Sequence, residues 1–390
     1  MLVACGVSLA TLMLPLNSFL SAQTEPQADS SKDVPTIAEY APESSLVVKT
    51  TALNAASFPV IDIHGHFGRR LRGSDEALSK YVEAMDRHNI QLSVSLDARL
   101  GSEDRHLGFL KPHTDRFITF CHLDFVGQGK RDQPKTLACN QQDFVRKVCL
   151  QLEAANKKGI AGLKFFKSFG LRYKNADGSL IRIDDSRFDP IWRRCAELKM
   201  PVLMHTGDPA AFFQPVNDKN ERFEELLRHP SWSFHGEQFP SRQELLESRN
   251  KVIRKHPNTI FIGAHMGGSS EDLQQVDQWL GELPNLFVEI SSRIAELGRQ
   301  PFTARKFILK HQDRILFGTD GPWPEERLAY YWRFLETDDE YFRYSEKRPQ
   351  PQGLWRIYGV NLPKEVLQKI YSGNALKLLP AVKAKFDKQK

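Results

Sequence analysis

Eight short apolar runs alternate with longer amphipathic stretches between residues 58 and 320, and this rhythm constrains the fold more than any other feature of the chain. The runs are "PVIDIH" (59–64), "IQLSVSLD" (90–97), "RFITFCHLDF" (116–125), "IAGLKFF" (160–166), "PVLMHTG" (201–207), "TIFIGAHMG" (259–267), "LFVEISS" (286–292) and "RILFGTD" (314–320). Their Val, Ile, Leu and Phe content is that of strands buried on both faces. Segments such as "DEALSKYVEAMDRHN", "QDFVRKVCLQLEAANKKG" and "SRQELLESRNKVIRKHP" lie between them with helical spacing. Strand–helix alternation implies parallel strands joined by crossover helices. Eight such units predict an α/β fold, a (β/α)8 TIM barrel with long loops at its C-terminal face. The main alternative, a doubly wound open sheet, usually carries a Gly-rich phosphate turn after its first strand. Here "DIHGHFG" stands in that place.

The barrel accounts for residues 58–380. Ahead of it, residues 2–16 form an apolar run too short to span a bilayer comfortably, broken at Pro15 and followed by the small residues of "NSFLSAQ". Residues 1–22 therefore read as a cleaved export signal, although no basic residue precedes the run. Residues 23–57 are polar and Pro- and Ser-containing, a flexible linker, and residues 381–390 read as a polar C-terminal tail. The expectation is an exported protein, periplasmic or secreted, with no stable membrane span after signal removal. Without Cys5, four cysteines remain (121, 139, 149 and 195), with neither a CxxC pair nor a disulfide framework. The net charge of +6 is spread among interspersed acidic and basic residues, which reads as a solvated, mildly basic surface and argues against a nucleic-acid stripe. Homo-oligomerisation stays open.

Chemistry concentrates at the strand ends. In this fold the active site forms at the C-terminal ends of the strands. His64 and His66 end the first run, one residue apart, with Gly65 between them. Lys164 lies in the fourth run, His205 and Asp208 end the fifth, His265 follows the sixth, Arg293 the seventh and Asp320 the eighth. Unpaired polar groups at core-facing positions are costly. Several imidazoles and a carboxylate converging on one rim are accounted for by a metal ion, whereas either His205 or His265 alone would read as a satisfied core histidine. Lys164, Lys167 and Arg172 form a basic cluster, either a contact for an anionic substrate or a solvated loop. Arg293 is a second candidate for substrate contact, since a guanidinium pairs well with a carboxylate. Asp208 suits either orienting a ligand histidine or capping the next helix. The remaining histidines read as structural, with His122 and His235 closest to the rim.

These elements (the HxH of "DIHGH", "LMHTGDP", "GAHMGG" and "LFGTD", in that order) resemble the amidohydrolase superfamily. More narrowly, they are similar to the branch that includes aminocarboxymuconate semialdehyde decarboxylase. The resemblance runs from residue 58 to about 380 and closes on "IYSGNALKLL". It implies a metal-dependent hydrolase of a small molecule, with His64, His66 and His205 as ligands of one divalent ion, zinc by preference. Asp320 would lie beside the metal, bind it weakly and accept a proton from activated water, and His265 would orient that water. It implies equally a non-oxidative decarboxylase of a small carboxylic acid, aromatic acids among the candidates, using the same residues. In two-metal members a strand-4 lysine is carbamylated, the position held here by Lys164. Long, Trp- and Tyr-rich segments after the fifth and eighth runs are expected to shape the substrate pocket.

Overall fold

The computed structural model describes residues 36, 39–40 and 42–388. Residues 1–22, expected as an export signal, and residues 23–35, expected as linker, lie outside the described residues. The chain divides into two compact units, Met1–Val47 and Val48–Lys390. In the first, the described residues hold a turn in which the Tyr40 N–H donates to the Thr36 carbonyl at 2.9 Å.

The second unit is an eight-stranded parallel sheet in sequential order: β1 (Val60–Gly65), β2 (Ile90–Arg99), β3 (Phe117–His122), β4 (Ile160–Phe165), β5 (Val202–Met204), β6 (Phe261–Gly263), β7 (Leu286–Glu289) and β8 (Ile315–Leu316). Closure between the first and last strands runs through the chain just past β8. There the Ile63 N–H donates to the Phe317 carbonyl at 3.1 Å and the His66 N–H to the Gly321 carbonyl at 2.6 Å. Each of the eight apolar runs holds a strand, but β5, β6 and β8 are shorter than their runs because the chain leaves the ladder early to build the rim. Gly268 shows why: it is left-handed (φ +77°), and a Cβ there would meet the Thr206 carbonyl oxygen at 2.4 Å.

Helices cover the outside. Ser74 caps Asp75–Arg87, accepting from the Ala77 N–H, and Ser241 with Glu244 forms a reciprocal capping box on Arg242–Lys255. Inside the barrel, Ile61, Ile63, Val94, Leu96, Leu203, Ile262 and Leu316 belong to one buried cluster. The helix Pro380–Phe386 joins that cluster through Val382 and Phe386. The segment expected as a polar tail is thus mostly a packed helix. Its two apolar residues stand four apart, so they share one helical face although lysines dominate the composition. Residues 48–57, expected as linker, lie in the barrel unit and make specific bonds. The Thr51 N–H and hydroxyl donate to Asp339 at 2.6 and 2.7 Å, and the Ser57 N–H donates to Glu336 at 3.0 Å.

Candidate metal centre

His64 and His66 are both buried at the end of β1, where the register with β2 slips between Asp62 and Gly65. Bulges of this kind re-aim side chains. Asp62 bonds to Thr319, whereas the Nδ1 of His64 lies 3.0 Å from both Glu289 Oε1 and Ser291 Oγ. His66 Nδ1 is 2.7 Å from Asp97. With Nδ1–H donated to a carboxylate on each ring, both Nε2 atoms keep their lone pairs. Those two atoms face Asp320, whose Oδ1 lies 3.6 Å from His64 Nε2 and 3.3 Å from His66 Nε2. One ligand atom from each of His64, His66 and Asp320 falls within 4.8 Å of the other two. Gly318 leaves room for this approach: a Cβ would sit 2.8 Å from Glu289 and 3.1 Å from the His64 Cβ.

A second layer of imidazoles adjoins the first. The His265 ring centroid is 5.0 Å from that of His64 and 4.4 Å from that of His205. His265 donates Nδ1–H to the Ser291 carbonyl at 2.8 Å, and its own N–H donates to Glu289 at 2.7 Å. His205 Nε2 faces Asp208 at 3.3 Å, and Asp208 pairs with Lys167 at 2.7 Å. His265, Ser292 and Asp320 all adopt positive φ (57°, 53° and 60°), a conformation that costs a non-glycine residue energy and clusters at active sites.

Burial drives the electrostatics. It holds His64 and His265 well below 6.5, lowers His66, and takes His205 to about 4, so these rings are neutral at pH 7. Burial raises Asp320, yet His64, His66, Arg70 and Lys164 overcome it and bring the carboxyl to about 2. Burial pulls the Lys164 ammonium down to about 8 against Glu289 and Asp320. The donor set therefore fits a divalent cation: neutral imidazoles with free Nε2 lone pairs, one ionised carboxylate, and outer nitrogens held by further carboxylates.

The sequence model for amidohydrolases matches residues 61–381. The chain belongs to the amidohydrolase family. No curated protein matches the sequence. Among solved structures, an uncharacterised TIM-barrel protein from Bordetella bronchiseptica is 15% identical, with a TM-score of 0.49 over 84% of this chain and 100% of its own. A 2,6-dihydroxybenzoate decarboxylase from Rhizobium is 17% identical, with a TM-score of 0.46 over 82% of this chain and 98% of its own. A probable 2-pyrone-4,6-dicarboxylic acid hydrolase from Acinetobacter baumannii is 12% identical, with a TM-score of 0.45 over 82% of this chain and 99% of its own.

In this amidohydrolase the structure brings His64, His66 and Asp320 together, with His265 alongside and His205 one ring further out. Lys164 is buried, its Nζ 3.3 Å from His64 Nε2. Arg293 is buried at the end of the β7 loop and donates to the Ser292 carbonyl at 2.9 Å. Lys167 is committed to Asp208, and Arg172 donates to the Ser231 carbonyl, which draws both out of the expected basic cluster. Sequence reasoning missed Asp97, Glu289, Ser291 and Arg70. Glu289, a carboxylate at the end of the apolar "LFVE", gave only a partial signal, since its position marks it as unusual without showing which ring it serves. Arg70 offered none: its guanidinium stacks 3.7 Å above the Trp323 ring and lies 3.5 Å from Asp320, a contact between distant segments.

Proposed function

We propose that this amidohydrolase is a metal-dependent hydrolase of a small molecule. One observation carries the reading: two imidazole Nε2 atoms and the Asp320 carboxylate face one another while Glu289 and Asp97 hold the rings from behind. His64, His66 and Asp320, with His205, would hold one divalent ion, and that mixture of neutral imidazole and carboxylate suits zinc. Such an ion supplies Lewis acidity, lowering the pKa of a coordinated water from about 15.7 toward 7. Asp320, ionised and 20% exposed, accepts a proton from water as it attacks the substrate. His265, its Nδ1–H engaged by Ser291, offers Nε2 to orient that water. Arg293, buried on the β7 side, would contact the substrate.

A second reading, non-oxidative decarboxylation, is favoured by Lys164. Its ammonium, 3.3 Å from His64 Nε2, would pair with a substrate carboxylate held at the centre. Turnover in labelled water separates the two. Hydrolysis should place one labelled oxygen in the product, whereas stoichiometric CO2 without incorporated oxygen would overturn the hydrolase reading. We also propose export to the periplasm or medium, supported by the charge-free apolar segment 2–16.

A further inference from the structure

Beside the centre, a cavity of about 660 Å³ opens between the end of β1, the end of β2 and the helix Glu103–Leu110. That volume lies within the range of about 300–1,000 Å³ typical of small-molecule sites. Four guanidinium groups line it: Arg69, Arg72, Arg99 and Arg105. Arg99 pairs with Asp124. Among the described residues, Arg69, Arg72 and Arg105 hold no ion pair, and their guanidinium groups donate no hydrogen bond. Three guanidinium groups without an ion pair are thus gathered at one concave surface.

The cavity's own acid offsets only one of them: Asp97 is ionised and attracts Arg69, which leaves an excess of two guanidinium charges over carboxylate. Asp97 is the one carboxylate in its lining, and both its oxygens are taken, by His66 Nδ1 at 2.7 Å and by the Arg69 N–H at 2.9 Å. The inner wall leads to the centre. Phe166 lines the cavity and stacks on the ring of His66, with centroids 5.8 Å apart and 30° between planes. A ligand resting on that wall therefore lies one ring away from a residue assigned to the metal.

We infer that this cavity is a binding subsite for a small molecule carrying at least two anionic groups, carboxylate or phosphate. The inference rests on the reading that the adjoining centre acts on a small molecule, and it names that molecule's chemical class. Guanidinium groups bind both anions in bidentate fashion, and three of them at one concave wall match separate charges on one ligand. Like charges held together in a cleft also focus the field and draw anions in at low salt. The lysines nearest in sequence to the β4 end do not serve here, because Lys167 is consumed by Asp208 and Lys164 is buried.

The test is calorimetric titration of the full chain, both as purified and after chelation of its metal. The probes are trimesate (a planar tricarboxylate), inorganic pyrophosphate and benzoate. Trimesate or pyrophosphate should bind at least ten times more tightly than benzoate in both preparations, and added salt should weaken that binding. Preference for one of the two names the anion. Arg69→Gln and Arg105→Gln should each weaken the tighter probe about tenfold while leaving benzoate affinity and metal content unchanged. Both side chains are exposed, so the fold should persist, and circular dichroism checks this. Equal affinity for mono- and polyanions would overturn the inference. So would binding that vanishes on chelation and ignores the arginine variants, since the anion would then sit on the metal. Absence of bound metal or of turnover would sink the enzymatic reading alone, because anion binding by the chelated protein is measured separately.

Discussion

Glu289 has no exposed surface and accepts from His64 Nδ1 at 3.0 Å, the His265 N–H at 2.7 Å, the Ser291 N–H at 2.5 Å and the Ser291 hydroxyl at 2.8 Å. It thereby sets the tautomer of His64 and fixes the backbone that carries His265. Glu289→Gln would turn an amide donor toward His64 or leave its ring unanchored, and such partners typically cost 10–100-fold in metal affinity. Competition with a chelating dye should show a loss of about that size, with the fold retained. His205→Ala in the same assay should also cut bound metal, and unchanged affinity would remove His205 from the ligand set. The two β1 histidines were legible because imidazoles closing an apolar strand have few structural explanations. Glu289 and Asp97 were not, because a lone carboxylate in a strand reveals nothing until the ring it faces is known. Those rings come from β1, more than 200 residues away in the case of Glu289.

The element most distant from a simple barrel is the insertion after β8, whose helix Glu326–Glu336 and the bridge between Phe342 and Ile357 build an extra wall. Its buried anchor is Asp339, which accepts from Arg333 at 2.7 Å and from both donors of Thr51. Burial raises the Asp339 pKa, but the Thr51 donors and Arg333 outweigh it and hold the carboxyl below its usual 3.8. A depressed folded-state pKa means the stabilisation is complete above about pH 4 and is lost as the pH falls through the folded value. Asp339→Asn should therefore cost roughly 2–4 kcal/mol at pH 7, as expected for a buried charge-assisted network. In urea melts, the gap between variant and parent should narrow below about pH 3; a gap independent of pH would mean the loss comes from packing. Sequence periodicity located all eight strands but overran β5, β6 and β8. Hydrophobicity continues past Met204, Gly263 and Leu316, while the ladder stops where left-handed residues such as His265 and Asp320 turn the chain onto the rim. No local pattern announces a non-glycine residue at positive φ, since the surrounding contacts impose it.

At the scale of the whole chain, the boundary between the two compact units falls at Val47, ten residues before the point where composition shifts from polar to barrel-like. Composition missed it because residues 48–57 are held largely by hydrogen bonds to Asp339 and Glu336, with only Leu53 and Ala56 packing against the core. The two truncations this separates should behave differently. A chain starting at Val48 keeps every one of those bonds and should melt within a degree or two of the full-length protein with its metal content unchanged. A chain starting at Phe58 leaves the Asp339 carboxylate paired with Arg333 alone. It should lose about 1–3 kcal/mol, the cost of leaving a buried acceptor partly unsatisfied, a drop of several degrees at most for a domain of this size. If export removes residues 1–22, mature protein from the native host begins near Gln23, upstream of both truncations, and retains the Thr51 anchor. N-terminal sequencing of that protein checks the cleavage, and recovery of intact Met1 would show that the segment is not a cleaved signal. Equal melting of the two truncations would show that the Thr51–Asp339 bonds contribute nothing to the barrel's stability.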